Sequence, residues 1–261
     1  LTTLNASENR ITDVPDQLSC CSSLTHLKLS RNRIGRMGHQ LTRLRKLETV
    51  ELDGNKISAV PRFCAGNRVR VLSLDENPIT ELPLWLCKSR SLKLLSFRNA
   101  KIQFLPCELG YALQLETLMY DGNPLESPPI EIRRSGPFLS MKFLEMITNC
   151  LYTGKLSLRE MLISELPPEM EMFDDKCKTP WCVKFRNALD GLNTFETSKL
   201  VNLDISNNKI KNLESGYLHL FSNLLILNME NNNIKQGLTY GIIGGLIFLF
   251  LLFFCSIFLE Y

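Results

Sequence analysis

The sequence predicts an α/β solenoid, in which short parallel strands stack into a sheet over a shared apolar core. Three observations lead to this fold class. Apolar residues recur at a nearly constant period, each copy contains a Leu-x-Leu segment with the period of two that is typical of a strand, and an Asn or a Leu-Pro step follows at fixed positions. One copy cannot bury its apolar side alone, but stacked copies form a continuous core.

The repeats are clearest in the first half of the chain, where six copies of LxxLxLxxNxLxxLP can be aligned. They start at Leu1, Leu24, Leu47, Val69, Leu92 and Leu115, so successive starts differ by 23, 23, 22, 23 and 23 residues. Within the second copy, Leu27 and Leu29 are expected to face one side of a strand while Lys28 faces the other. Chance does not produce this spacing.

The Asn that recurs at the ninth position of the copies, which we call the Asn column, is explained by the hydrogen bonds that buried backbone groups require. Where each strand leaves the sheet, buried backbone groups lack ladder partners, and an Asn amide offers donors and an acceptor together. The fifth copy has Ala100 at this position and the seventh has Met161. We therefore expect local loosening at both.

These residues resemble the leucine-rich repeat family, and the period with Leu-Pro after the Asn resembles the intracellular subclass of Ras-suppressor, Scribble-like and Roco proteins. The resemblance implies a horseshoe with a parallel concave sheet that binds a protein partner. It also implies that the segment from Asp121 to Ile132, together with a following helix, closes the first block of repeats.

The pattern changes after Pro129, where an apolar stripe at helical spacing predicts a capping-type helix over 130–152 that begins near Ser135–Pro137. The first domain is thus 1–129. A second repeat block is predicted over 153–236, with a degenerate insert at about 174–198 that holds the trace of an eroded copy. Spacing alone leaves open whether the two blocks stack as one arc.

The segment 237–259 contains no charged residue, and 14 of the 20 residues from Tyr240 to Leu259 are Leu, Ile or Phe. Twenty helical residues rise about 30 Å, the thickness of a bilayer core. We interpret the segment as a C-terminal apolar helix that spans a membrane once. Lys209, Lys211 and Lys235 precede it, so the positive-inside rule places the repeats in the cytoplasm. The competing interpretation is that this terminus is a translated non-coding stretch.

Composition excludes several function classes. The 30 Lys and Arg against 27 Asp and Glu give a net charge of +3, too even for a dedicated nucleic-acid binder. Nine scattered cysteines show neither zinc-ligand spacing nor a disulfide framework. Motifs for a catalytic residue, a metal or a cofactor are not found, so we predict that the chain is not an enzyme and uses no cofactor.

The predicted partner-binding residues are the charged and polar side chains that face outward from the strands, and their signs alternate from copy to copy. They are His26, Lys28, Arg31, Glu48, Glu51, Asp53, Arg70, Asp75, Lys93, Arg98, Glu116 and Asp121. The predicted function is a protein-interaction module, with scaffolding or regulation in small-GTPase signalling implied by the resemblance. Two rivals remain: a receptor ectodomain, and the recognition arm of a larger signalling enzyme.

Overall fold

The computed structural model describes residues 1–63, 68–167, 170, 200–213 and 224–234. The chain divides into two compact units. The first consists of Leu1–Pro128 and Pro137–Glu145, and the second of Pro129–Gly136 and the residues from Met146 onward.

Short parallel strands form one sheet in each unit, and within each sheet every strand pairs with the next one along the chain. The first unit has β1 (Thr3–Asn5), β2 (His26–Lys28), β3 (Thr49–Glu51), β4 (Val71–Ser73), β5 (Leu94–Ser96) and β6 (Thr117–Met119), and the second has β7 (Lys155–Ser157), β8 (Asn202–Asp204) and β9 (Ile226–Asn228). The middle residue of each strand aligns with its neighbour's, as Leu27 does with Val50 and Val50 with Leu72. This register follows the sequence period, and the α/β repeat fold predicted from it is confirmed.

Helical segments connect the strands or follow them. They comprise 3-10 helices at Asp16–Cys20, His39–Arg43 and Cys107–Tyr111, and the α-helices α1 (Leu84–Cys87), α2 (Ile130–Arg134) and α3 (Pro137–Thr153). The helix start predicted at Ser135–Pro137 is confirmed, with Pro137 in the first turn. The range 130–152 nevertheless holds two helices, because Gly136 has a φ of 105° that no helix can contain.

The core consists of the leucine, isoleucine and valine residues of the repeat pattern. In the first unit Leu24, Leu27 and Ile34 are fully buried, and the same positions recur in the later copies. In the second unit Leu158, Ile163 and Ile205 are fully buried. The apolar positions of the pattern thus face the interior, as the period of two requires.

The Asn column ties each repeat to the one before it. The Asn55 amide donates to the carbonyl oxygens of Leu52 at 2.9 Å and of Leu29, in the preceding repeat, at 3.0 Å. Its own oxygen accepts the Ile34 N–H at 3.0 Å. The same three kinds of bond are made by Asn32, Asn77, Asn123, Asn208 and Asn232.

The two copies that lack the Asn show an altered backbone. At the fifth copy, the Ile79 N–H has no Asn oxygen to reach and donates to the Asn77 carbonyl at 2.8 Å instead. At the seventh, Met161 is buried and the following Leu162 has a φ of 60°, in the left-handed region that is unfavourable for a leucine. The missing amide is therefore compensated by different local geometry at each position.

In each of the nine copies described, the residue just before the Asn-column position has a left-handed backbone conformation, with φ between 53° and 74°. These residues are Glu8, Arg31, Gly54, Glu76, Asn99, Gly122, Glu160, Asn207 and Asn231. Seven of their N–H groups continue the pairing beyond the strands, as the Arg31 N–H does by donating to the Asp53 carbonyl at 2.7 Å. The sequence analysis missed this column, although five of its nine members are Gly or Asn, the residues that tolerate this conformation best.

The first part of α3 covers the sixth repeat. The helix also packs on the end of the fifth repeat, where a Cβ on Gly110 would lie 2.3 Å from the backbone nitrogen of Glu145, so the approach is as close as a glycine allows. Tyr120 occupies a core position of the repeat, and its hydroxyl lies 2.8 Å from that of Ser140 on α3. The polar tip of this buried tyrosine is thus paired with the helix.

None of the helices described is long and apolar enough to cross a membrane. The predicted C-terminal span at 237–259 lies outside the described residues, as do most of the insert at about 174–198 and the lysine at 235.

We predict opposite effects from changing the Asn column in two adjacent repeats. Asn77→Ala should destabilise the chain by about 1–3 kcal/mol for each partner left dry, because the amide bonds buried carbonyls and the Ile57 N–H. Ala100→Asn should stabilise it by about 0.5–1.5 kcal/mol by restoring the bond to the Ile79 N–H. Urea unfolding measures the change in the free energy of unfolding for both variants. A loss of stability in Ala100→Asn would contradict the stabilising role that we assign to the Asn column.

Gly110→Ala should destabilise the chain by about 1–3 kcal/mol, because the new methyl group would meet helix backbone that no rotamer change can move. The matched control is Gly35→Ala, where a Cβ would meet nothing within 4 Å. Thermal unfolding of the two variants should separate them, and equal midpoints would show that α3 does not pack on Gly110.

Candidate functional site

The candidate site is the open face of the sheet in the first unit, which we define as the side of β1–β6 opposite the apolar core. In β2–β6 the middle residue is buried and its two neighbours face outward, whereas in β1 the middle residue Leu4 is half-buried. Because the strands are in register, outward residues at equivalent positions form rows across the repeats. The residues immediately before and after each strand extend these rows.

The structure places the predicted binding residues along these rows. Those at the strand starts are Glu48, Arg70, Lys93 and Glu116; those within strands are His26, Lys28 and Glu51; and those after the strands are Arg31, Asp53, Asp75, Arg98 and Asp121. All twelve thus lie in or directly beside the sheet of the first unit.

Neighbouring repeats pair many of these charges with each other. Lys28 lies 2.9 Å from Glu51, and Lys93 lies 2.5 Å from Glu116. Arg31 is similarly 2.9 Å from Glu8. The alternating signs seen in the sequence therefore become lateral ion pairs between adjacent strands. Because these groups are partly or largely exposed, each pair contributes at most about 1 kcal/mol.

Asp53 and Asp75 are bound more tightly than the other charges. Asp53 accepts hydrogen bonds from the Ser73 hydroxyl and, at 3.0 Å, from the Asp75 backbone N–H. Asp75 is buried and accepts from the Ser96 hydroxyl at 2.5 Å and the Arg98 N–H at 2.7 Å. Both carboxylates thus help to hold the ends of adjacent strands together.

The Arg98 guanidinium is the cation of this acidic row. It donates from Nε to Asp75 at 2.8 Å. The hydrogen bond and charge of Asp75, with smaller contributions from Asp121 and Asp53, raise the pKa of Arg98. The guanidinium is therefore oriented by Asp75 before any partner arrives, and the more distant charges of Asp121 and Asp53 favour its charged form.

The sequence analysis missed the apolar side chains on the open face. Val71 and Leu94 are half-buried outward residues of β4 and β5, and the register places them side by side, with Thr117 next to Leu94. The available signal was Leu94 itself, which interrupts the alternation of apolar and polar residues in the fifth copy.

Several cysteines are buried free thiols. Burial raises the pKa of the Cys87 thiol to about 12, with a further contribution from the nearby Glu108 charge, and it raises the pKa of Cys150 to about 12. Both remain protonated at neutral pH and are poor nucleophiles. Cys21 is half-buried, and the cysteine at 64 lies outside the described residues.

Outside the open face, the described part of the chain offers few groups that could bind a ligand or a metal ion. A cleft of about 470 Å³ opens between the loops of the second and third repeats, and its lining includes Arg36, His39 and Arg62. Among the residues described, no group of His, Cys, Asp and Glu side chains is arranged to hold a metal ion.

Comparisons with known proteins agree with this architecture. Residues 1–57 match the family model for leucine rich repeats. Three relatives are the leucine-rich repeat serine/threonine-protein kinase 1 of Mus musculus (28% identity, 54% of this chain), the leucine-rich repeats and immunoglobulin-like domains protein 3 of Homo sapiens (27%, 81%) and an adenylate cyclase of Podospora anserina (27%, 72%). This chain spans 7%, 16% and 8% of their respective lengths.

Two solved structures are also similar over most of this chain. Internalin C2 from Listeria monocytogenes has a TM-score of 0.43 at 18% identity, covering 90% of this chain and 74% of its own. The plant peptide hormone receptor RGFR1 in complex with RGF2 has a TM-score of 0.40 at 15% identity, covering 89% and 28%.

Residues 1–57 thus match leucine rich repeats directly, and the rest of the chain is similar to proteins that carry such repeats. Such repeat domains are typically modules that bind other proteins and carry no catalytic residues of their own. The finer assignment to the 23-residue Leu-Pro subclass remains a prediction.

We predict that Glu108→Gln raises the midpoint of thermal unfolding at pH 7. Burial raises the pKa of the Glu108 carboxyl above its ordinary 4.5, although Lys88 opposes the shift, and one of its oxygens is buried without a hydrogen-bond partner. A raised folded-state pKa means that this group contributes stability at low pH that is lost as the pH rises through that pKa.

The gain from Glu108→Gln should therefore disappear below pH 4.5, where the carboxyl is protonated in both folded and unfolded chains. Melting curves recorded between low pH and pH 7 test whether the substitution raises the unfolding midpoint only at the higher pH. The exposed Glu126→Gln serves as the control and should show no comparable gain. A midpoint lowered at pH 7 by Glu108→Gln would contradict the prediction.

Proposed function

We propose that this chain is a non-catalytic interaction module whose protein partner docks on the open face of the first unit. The observation that carries the proposal is the alignment of outward side chains from six adjacent repeats in rows. A surface built in this way presents many independent contacts from a rigid scaffold, so that specificity follows from the side chains in each row.

The twelve predicted residues would serve this partner in two ways. Lys28, Glu51 and the other laterally paired charges are already ordered, which lowers the conformational entropy lost on binding. Glu48, Arg70 and Asp121 make no ion pair within the described residues and remain available to opposite charges.

We propose further that the partner belongs to small-GTPase signalling and that the segment 237–259 tethers the chain to a membrane. Resemblance to the Ras-suppressor group supports the first, and the apolar composition of that segment supports the second.

A second candidate function is the recognition arm of a larger signalling enzyme. The mouse protein kinase and the fungal adenylate cyclase favour it, because this chain matches only 7% and 8% of their lengths. In this case the open face would still bind a protein, and the chemistry would belong to another part of the polypeptide.

We expect the double variant Lys28→Glu with Glu51→Lys to lose the partner while remaining folded. The exchange preserves the attraction between the two side chains, which lie 2.9 Å apart, but reverses the charges that a partner meets. The measurement is affinity capture from cells with the full chain as bait, followed by identification of proteins that depend on the unmodified pair.

The matched control is Asp13→Lys with Arg36→Glu, which moves the same charges between two exposed residues in loops outside the strands. A partner retained by the control and lost by the exchange supports docking on the open face. Equal capture by the unmodified chain, the exchange variant and the control would show that the partner does not dock on the open face. Purified Ras-family GTPases, loaded with GDP or a GTP analogue, then test the proposed partner class directly.

A further inference from the structure

Six exposed cations lie at the starts of three adjacent strands, β3, β4 and β5. We call them the basic edge: Arg45, Lys46, Arg68, Arg70, Arg90 and Lys93. Lys93 pairs with Glu116, whereas the other five make no ion pair in the part of the chain that the structure describes. Two acidic residues, Glu48 and Glu116, flank the six cations.

The backbone bonds show that Arg70 and Lys93 are lateral neighbours, with Glu48 on the other side of Arg70. The Arg70 N–H donates to the Glu48 carbonyl at 2.8 Å, and the Lys93 N–H donates to the Arg70 carbonyl at 2.8 Å. Neighbouring strands are about 4.8 Å apart, so Arg70 and Lys93 lie about one strand spacing from each other, and the other four cations precede the same strands in the sequence. Without counter-charges, such a row produces a positive potential that extends into solvent.

The opposite edge of the open face, where the strands end, is different. Its carboxylates at Asp53 and Asp75 are held by serine hydroxyls, backbone N–H groups and Arg98, and Glu8 pairs with Arg31. The carboxylates of Asp53, Asp75 and Glu8 are thus compensated within the protein, whereas five of the six cations of the basic edge have no ion-pair partner in the described part of the chain. Electrostatic attraction of a partner should therefore be strongest at the strand starts.

Apolar side chains lie directly beside the basic edge. Val71 follows Arg70, Leu94 follows Lys93, and the two are paired in register as half-buried outward residues of β4 and β5. A partner side chain placed against Val71 and Leu94 would bury apolar area next to a row of positive charge. This combination of an apolar centre and a charged rim is typical of protein interfaces.

We propose that the basic edge binds an acidic segment of a partner protein that lies across β3–β5, with carboxylates facing the cations and an apolar side chain against Val71 and Leu94. The proposal rests on the proposed function and specifies the class of partner and the part of the open face that it occupies. We choose an acidic segment because its carboxylates would compensate the cations that have no partner within the described residues.

Two other anionic partners fit the surface less well. A nucleic acid would need a continuous basic track and aromatic platforms, but Glu48 and Glu116 interrupt the track, and no residue of β3–β6 is aromatic. An anionic membrane would be attracted by charge alone and would gain nothing from half-buried Val71 and Leu94. Both serve as alternatives in the test.

The test measures binding of a fluorescein-labelled peptide made of three Glu-Leu-Glu-Ser repeats to the full chain by fluorescence anisotropy. We expect saturable binding that weakens as NaCl rises from about 50 mM to about 300 mM, because salt screens exposed charges. Arg70→Glu with Arg90→Glu should weaken binding at least tenfold, and Leu94→Ser should weaken it without changing the salt dependence.

The matched control is Arg33→Glu with Lys56→Glu, which reverses two exposed cations located after the strands. It carries the same change in net charge and should bind the peptide as the unmodified chain does. Equal weakening by the two double variants would overturn the proposal, because total charge would then explain the binding. Absence of peptide binding to the unmodified chain would overturn it as well.

Competition identifies the class of partner. Phosphatidylserine vesicles or an oligothymidylate that bind more tightly than the peptide, and lose binding in Arg70→Glu with Arg90→Glu, would replace the acidic segment by a membrane or a nucleic acid. If a cellular partner depends on Lys28 and Glu51 but not on the basic edge, this inference fails while docking on the open face stands.

Discussion

Each Asn amide of the column closes the turn out of its own strand and, through a second carbonyl, ties that turn to the preceding repeat. Because the bonded carbonyls and N–H groups are buried, water cannot replace the amide without a cost. The same bond recurs from repeat to repeat, which fixes the spacing of the strands and therefore of every row on the open face. Where Ala100 replaces the Asn, the chain closes the turn with a backbone bond from Ile79 instead.

The regular spacing gives the charges on the open face two roles. Asp75 and Arg98 form a bond between adjacent repeats, so that their charges are already satisfied by the fold. Arg70 and Arg90, at the strand starts, have no such partner within the described residues and remain exposed. Recognition by a repeat surface thus depends less on how many charges it carries than on which ones the neighbouring repeat leaves uncompensated.

Sequence reasoning was most reliable where a rule applies to every copy. Buried leucines, the Asn column and the helix start at Pro137 were all predicted from spacing and local residue preference. It was less reliable where a residue departs from its column. Leu94 was overlooked because the repeat pattern expects a polar residue at that outward position. The hydrogen bond from the Ser96 hydroxyl to Asp75 was not predicted either.

The period of the chain by itself determined the repeat fold, because residues at a fixed interval must face one interior if that interior is to exclude water. It also determined which residues face outward. Only the tertiary structure decided which outward charges are paired, since pairing depends on side chains 20 or more residues apart that meet across strands. The close contact of Gly110 with α3 was likewise decided by packing, because nothing in the local sequence specifies where a distant helix will lie.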